Sequence, residues 1–363
     1  YIYAVKKNIN KDSVVLDLGA GTGIFSLLAC KFGARKVYAI EPNPAVKVGI
    51  QSAGRNGFSE RIKFYNQSSL EVNLDEKVDL IISDLRGVLP LLGNNIETLI
   101  DARERFLKKS GILIPGSDKI YASIVNSPKK YKKIVNTWDK NRYKFDLTDA
   151  RYVCLNKFYS GDFKSSKIVS ERKLWQKIDY SKINHPNFKN KLRFKILEDT
   201  LGHGFNIWFD SVLVPGVNLL NSPDVPGAKV YGRAFFPFLK PIDFNRGDSV
   251  TVELSADLVS GEYVWSWKTR AYSKGGRKII SEFNQSTFYS NSITPESLIK
   301  RSHDFYPEIN DEGKINIAIL SMFSKGKNNM DIAKELISQF PEKFKNINES
   351  LSYAGNLAEK YSK

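Results

Sequence analysis

The run Val14-Val15-Leu16-Asp17-Leu18-Gly19-Ala20-Gly21-Thr22-Gly23 places one acid and three glycines where an apolar strand gives way to a helix. Glycines at such a strand–turn–helix junction allow a tight turn and let a ligand approach the backbone at the carboxyl edge of the first strand. A second acid, Glu41, ends the next apolar run, where a carboxylate can accept both hydroxyls of a ribose. The spacing is G-x-G-x-G, unlike the G-x-G-x-x-G that suits a dinucleotide pyrophosphate. Asp17 beside the loop would repel a phosphate and suits a sulfonium or an amino-acid ammonium. S-adenosylmethionine meets all of these requirements and NAD does not. The expected cofactor-binding residues are Asp17, Gly19, Gly21, Thr22, Gly23, Glu41 and Pro42. Ser68 and Ser69, in the Gln67-Ser68-Ser69 turn, are placed to meet the adenine, and Ser83 closes the set at the end of the fourth strand.

These residues need a parallel sheet to hold them. Val14–Leu18, Lys36–Ile40, Ile62–Tyr65, Val78–Ser83 and Gly111–Ile114 read as strands, and Ile24–Phe32, Ala45–Asn56 and Asn95–Leu107 carry helical spacing. Alternation of this kind predicts an α/β, Rossmann-like domain over residues 1–116. After the Ile114-Pro115-Gly116 break, strand-like runs at Lys119–Val125, Asn206–Val214, Ala234–Phe238, Ser249–Leu254 and Tyr263–Lys268 alternate with Gly/Pro turns. They predict an antiparallel β-barrel or sandwich over residues 117–292. The polar, Lys/Ser-rich stretch Tyr159–Ile183 reads as an insertion interrupting it. Residues 296–363 read as a small three-helix or winged-helix module, with Ile332, Ala333, Leu336, Ile337 and Phe340 sharing one helical face.

Asp17–Gly23, Gly33-Ala34-Arg35-Lys36-Val37 leading to Glu41, Val78–Ser83, and Ala102-Arg103 before Phe106-Leu107 together resemble the protein arginine methyltransferases. The likeness extends more loosely through Asn206–Asp210 and Ser222–Pro226, covering about residues 1–270. It implies a class I methyltransferase domain followed by a barrel, with a helical dimerisation arm where Tyr159–Ile183 lies. The departures from the family pattern are specific. The family clamps a guanidinium with two glutamates on the loop after the fourth strand. Here that loop is Ser83-Asp84-Leu85-Arg86-Gly87-Val88-Leu89-Pro90; the first glutamate position is Asp84 and the second falls on Gly93. The family's Thr-His-Trp motif falls near Ala228-Lys229-Val230, without its histidine. Asp84 with Arg86 sums to no net charge, and burying an unpaired cation costs several kcal/mol. The expected acceptor is therefore a protein or peptide side chain other than a glutamate-clamped arginine, methylated on nitrogen. Asp84 is expected to orient it or take its proton, and Arg86 to bind an acceptor carboxylate or carbonyl.

Other classes fare less well. Enzymes methylating exocyclic base nitrogens carry an Asn/Asp-Pro-Pro-aromatic loop that Asp84-Leu85-Arg86-Gly87 lacks, which argues against nucleic acid as substrate. A small-molecule N- or O-methyltransferase and a catalytically silent cofactor-binding scaffold stay open. Among the 363 residues, 55 Lys+Arg against 39 Asp+Glu give a net charge of +16, carried by scattered clusters such as Lys129–Lys133 and the spaced set Lys189, Lys191, Arg193 and Lys195. Such a surface attracts nucleic acid or acidic protein, or is simply solvated. No apolar run reaches the length of a membrane-spanning helix, so no membrane partner is expected. Two cysteines and three scattered histidines build neither a disulfide framework nor a metal site, pointing to a reducing, cytoplasmic setting. Trp265 and Trp267, on one strand face, read as core or dimer surface, Cys30 as core, and His203 as an exposed turn residue. The last module loosely resembles small peptide-binding domains of the PQQ-biosynthesis chaperone kind, through Asn329–Leu336 and Phe340-Pro341; the likeness implies capture of a peptide strand.

Overall fold

In the computed structural model, the structure describes residues 1–161, 166–225, 231–290, 296 and 299–362. The chain divides into two compact units, Tyr1–Asn291 and Ser292–Lys363.

The first unit opens with a short helix α1 (Ile2–Lys7) and the expected alternation: β1 (Val14–Leu18), α2 (Ile24–Lys31), β2 (Lys36–Ile40), α3 (Val46–Arg55), β3 (Ile62–Tyr65), β4 (Val78–Ser83), α4 (Asn95–Phe106) and β5 (Leu107–Ile114). The five strands form one parallel sheet in the order β3-β2-β1-β4-β5. Order reverses beside β1, so the carboxyl ends of β1 and β4 flank the crevice where such sheets bind ligands. β1 is buried along its whole length, as a strand covered on both faces must be.

The chain then turns antiparallel at β6 (Ser117–Asn126). Two helices follow at once, α5 (Pro128–Asp139) and α6 (Thr148–Leu155). Tyr131, Val135 and Leu155 pack them onto the barrel wall with Val125 and Phe235. The helical insertion therefore lies here and not at Tyr159–Ile183. That stretch contributes β7 (Tyr159–Gly161), β8 (Lys167–Ile168) and β9 (Lys173–Asp179), which pair with barrel strands. Lys167, Lys173 and Lys177 mask a β pattern because they stand on outward positions, while Trp175 and Ile178 turn inward and are buried.

β10 (Phe188–Lys195), β11 (Thr200–Val214), β12 (Val217–Leu219), β13 (Arg233–Phe244), β14 (Ser249–Val259), β15 (Glu262–Tyr272) and β16 (Ile279–Ser286) complete the barrel. A seven-stranded sheet, β7-β13-β11-β6-β8 with β9 on β6 and β12 on β11, meets a four-stranded one, β10-β14-β15-β16. Asn190 Nδ2 donating to the Trp175 carbonyl at 2.8 Å ties β10 to β9, and Gln285 Nε2 donating to the Pro237 carbonyl at 3.0 Å ties β16 to β13. The interior is aromatic: Phe205 stacks on Phe236 at 4.9 Å, and Trp265 and Trp267 meet these rings tilted or edge-on at 5.1 to 6.4 Å. Both indoles are core, as is Cys30.

The second unit holds α7 (Asp311–Ser324), α8 (Asn329–Gln339) and α9 (Ile347–Tyr361). Asn310, Asn328 and Asn346 each cap one helix by accepting a backbone N–H. Ile315, Ile319, Ile332, Leu336 and Phe344 form its small core. Among its described residues there is no strand, so of the two expected forms the three-helix one is present, and a captured peptide strand finds no sheet edge there. No helix among the described residues is long and apolar enough to cross a membrane.

Candidate functional site

The glycine loop and Glu41 come together at the carboxyl edge of the parallel sheet. Gly19 and Ala20 donate their N–H groups to the Ile40 carbonyl at 2.9 and 3.0 Å, drawing the loop over β2. Gly21 N–H donates to Glu41 Oε2 and Asn43 N–H to Oε1, both at 2.8 Å. Each carboxylate oxygen thus holds one backbone donor and keeps a second lone pair for a ligand hydroxyl. Gly19, Gly21 and Gly23 have φ of 76°, 54° and 78°, in the left-handed region where a Cβ is strained. A Cβ on Gly21 would meet nothing within 4 Å, whereas one on Gly19 would strike Leu85. Thr22 and Pro42 are exposed beside this cradle.

Asp17 is 2% exposed and accepts the Ser26 hydroxyl at 2.6 Å. Burial pushes its carboxyl up from 3.8 to about 6; the Ser26 hydrogen bonds oppose the rise and Glu41 adds to it. A buried acid poised this way is drawn into its ionised form by a cationic ligand. Ser83, paired with Leu18 across the strands, has a buried hydroxyl with no partner among the described residues. An orphaned hydroxyl at the ligand-binding edge, two acids and an open glycine turn together fit the donor set that S-adenosylmethionine needs. Ser68 and Ser69 fit less directly. Ser68 caps a one-turn 3-10 helix over Ser69–Glu71 in a reciprocal box with Glu71, and the Ser69 carbonyl accepts Arg105 at 2.6 Å. Leu70, 67% exposed, is the side chain this turn presents.

Asp84 and Arg86 also come together, but in a larger cluster than the sequence suggested. The Arg86 side chain is 1% exposed. Its Nη1 donates to both oxygens of Asp118 at 2.9 and 3.2 Å and to Ser211 Oγ at 2.6 Å. Its Nε and Nη2 donate to Asp84 Oδ1, each at 3.2 Å, and Nη2 also reaches the hydroxyls of Tyr231, at 3.0 Å, and Tyr1. Burial works against its charge, but Asp118 and the surrounding tyrosine hydroxyls outweigh it and hold the guanidinium above its ordinary value. All of its nitrogens are committed within the protein. The expectation that Arg86 binds an acceptor carboxylate or carbonyl is therefore corrected: it is a buried positioning group.

Asp118 lies at the start of β6 opposite Ser211 of β11 and accepts Tyr180 Oη at 2.6 Å. It adds a carboxylate that the charge count from Asp84 and Arg86 alone omitted, so two acids face one guanidinium and the cluster carries one net negative charge. Of the two, Asp118 is 0% exposed and Asp84 is 28% exposed. Tyr231 Oη lies 2.7 Å from both Asp84 oxygens. Burial raises the Tyr231 phenol, with Arg86 pulling the other way and Asp84 adding to the rise, so it stays a donor at neutral pH. Gly93, the second glutamate position, has φ of 47°, a conformation that suits glycine, and supplies no acid.

Sequence reasoning missed Asp118, Tyr180, Ser211 and Tyr231. One signal was available. Asp118 is in phase with Ile120, Ala122 and Ile124, and Ser211 with Phe205, Ile207 and Phe209, so both polar groups sit in the apolar register of a strand. His203 is buried under α5 with Nδ1 accepting the Ser127 N–H, and is neither exposed nor part of the cluster. The Ala228-Lys229-Val230 position lies outside the described residues.

Comparison with known proteins agrees with this architecture. The family model described as ribosomal protein L11 methyltransferase (PrmA) matches residues 2–141. Protein arginine N-methyltransferase 2 of Mus musculus is 32% identical over 208 residues, 55% of this chain and 46% of the relative. Protein arginine N-methyltransferase 1 of Saccharomyces cerevisiae is 27% identical over 257 residues, 68% of this chain and 73% of the relative. The chain spans about half the length of the mammalian relatives it matches. Among solved structures, the Trypanosoma brucei PRMT1 enzyme–prozyme heterotetrameric complex with AdoHcy aligns with a TM-score of 0.71 at 22% identity, covering 79% of this chain and 92% of that one. In fold, the chain is a class I methyltransferase domain joined to a barrel, as in the protein arginine methyltransferases it resembles.

Proposed function

We propose that this protein is an S-adenosylmethionine-dependent methyltransferase acting on a side-chain nitrogen of a protein or peptide, with the nitrogen held by a single carboxylate, Asp84. The cofactor brings a sulfonium whose methyl group is already activated towards a nucleophile. Asp17, the Gly19–Gly23 loop and Glu41 would hold it, with the unpartnered Ser83 hydroxyl at the same edge. Asp84 orients the acceptor and is the half-buried carboxylate beside it able to take the proton that nitrogen sheds on methylation. Tyr231 and Arg86 fix the Asp84 carboxylate in one orientation, so catalysis rests mainly on positioning.

The observation that carries the reading is the accessible Asp84 carboxylate in a cluster with one net negative charge. That charge favours a cationic acceptor, a guanidinium gripped at one end, over the neutral groups that a zero count suggested. The two-pronged glutamate clamp is not available to it. A second copy of the chain is the proposed partner in assembly: the α5–α6 hairpin carries Tyr143 and Phe145, stacked on each other and 70% and 65% exposed.

The test is incubation of the protein with tritiated S-adenosylmethionine and a cell lysate, followed by separation of protein, nucleic acid and small molecules. Label in a protein band, located on nitrogen by mass spectrometry, is the expected result. Label confined to small molecules would turn the reading into a natural-product methyltransferase. No label with cofactor binding intact would leave a silent scaffold.

A further inference from the structure

The outer face of the β10-β14-β15-β16 sheet is cationic by register. Lys189, Lys191, Arg193 and Lys195 occupy alternate positions of β10 and all four are exposed. Pairing brings Lys191 opposite Glu253 and Glu253 opposite Lys268, and sets Arg270 opposite Glu282. Six cations thus share this face with four carboxylates, since Asp257 and Glu262 lie on it by the same register as Glu253 and Lys268. Glu253 pairs with Lys191 at 2.9 Å, and Glu282 bridges Lys268 and Arg270 at 3.2 and 2.8 Å. Lys189, Arg193 and Lys195 have no salt bridge among the described residues.

Lysines on a strand often guard an open sheet edge. β10 is the end strand of its sheet, but side chains cover part of that edge: Asn190 donates to the Trp175 carbonyl and Gln176 to the Lys189 carbonyl, which places β9 beside it. Arg193 and Lys195 also line a depression of about 520 Å³, together with Ser249, the glycine turns at Gly247 and Gly275, and Glu171, whose carboxylate pairs with Lys173 at 2.7 Å.

We infer that this face is a docking surface for an extended, acidic segment of a partner protein. Alternate residues of a strand stand about 7 Å apart, so the four cations of β10 form a row roughly 20 Å long. An extended peptide with acids at alternate positions repeats at that same spacing and meets the row charge for charge. Single-stranded nucleic acid is the poorer match, because it is held by base stacking as well as by charge. Opposite the four cations of β10 stand Ser255, Glu253, Thr251 and Ser249 of β14, with no ring among them, while Tyr272 lies one strand further on, opposite Ser249, and Tyr289 lines a depression with Lys189 and Lys268.

The test uses the intact protein and a fluorescein-labelled twelve-residue peptide of alternating Glu and Ser, read by anisotropy. Binding is expected at 50 mM salt and about tenfold weaker at 200 mM, as screening shortens the reach of the field. The triple variant Lys189→Glu, Arg193→Glu, Lys195→Glu is expected to bind at least tenfold more weakly with an unchanged melting curve. Lys129→Glu, Lys132→Glu, Lys133→Glu on α5 is the matched control and is expected to bind as the parent does. Absence of peptide binding, or an equal loss in both triple variants, would overturn the inference. So would tighter binding of an oligouridylate of equal charge, which would make the face a nucleic-acid surface.

Discussion

The two halves of the site are built in opposite ways. The cofactor edge is local: Asp17, the glycines and Glu41 lie within two consecutive strands and the turns after them, and backbone hydrogen bonds fix their geometry. The proposed acceptor cluster gathers Asp84, Arg86, Asp118, Tyr180, Ser211 and Tyr231 from the β4 loop and the barrel, and side chains alone hold it together. A local site can be recognised from spacing in one segment. A site assembled across the fold shows in sequence only as scattered residues out of character with their elements. The same difference separates their energetics. Backbone amides hold the first regardless of neighbouring side chains, while the second stands or falls with one buried ion pair.

The sharpest way to break this contrast is to remove Asp118. Leaving Arg86 buried without its carboxylate is expected to destabilise the protein by about 3–5 kcal/mol, read as a shifted denaturant midpoint. Replacing both partners, Arg86→Met with Asp118→Leu, should recover most of that loss, since it removes the uncompensated charge. A single Asp118→Asn variant as stable as the parent would show that the pair does not hold the cluster.

The record of what sequence could show follows the same division. All five parallel strands and their glycine loop were legible because each element carries its own periodicity and punctuation. The pair α5–α6 was not: Lys129–Lys133 reads as a charge cluster, although Pro128 after Ser127 is a helix start and Tyr131 with Val135 gives its buried face. β10 was hidden likewise, since its four cations obscure Phe188, Leu192 and Phe194 alternating inward. The role given to Arg86 failed for a different reason. Burial decides whether a guanidinium binds a ligand or braces a neighbour, and that depends on strands far away in the chain.

Tyr231→Phe probes the acceptor half more gently. It deletes the hydroxyl that contacts both Asp84 oxygens and is expected to lower the methyl-transfer rate about tenfold, the worth of one hydrogen bond to a charged group. Cofactor affinity should not move, and a fall in that affinity would mean the two halves are coupled. On the cofactor side, pH is the finer tool. With its folded value raised from 3.8 to about 6, Asp17 favours the folded protein fully below about pH 4, and that contribution is lost as pH rises through about 6. A cationic ligand needs the ionised form, which falls to about one-tenth of the population at pH 5. Affinity for S-adenosylmethionine by calorimetry should therefore weaken about tenfold between pH 7 and pH 5. A flat profile would remove Asp17 from the binding site.

The most direct test compares Glu41→Ala and Asp84→Asn on two readouts, cofactor affinity by calorimetry and tritium transfer to protein. Glu41→Ala should lose at least tenfold in affinity for S-adenosylmethionine. Asp84→Asn should bind the cofactor within about twofold of the parent while transfer falls about a hundredfold or more, the scale of a lost catalytic base. Transfer by Asp84→Asn at the parental rate would contradict the claim that one carboxylate holds the acceptor.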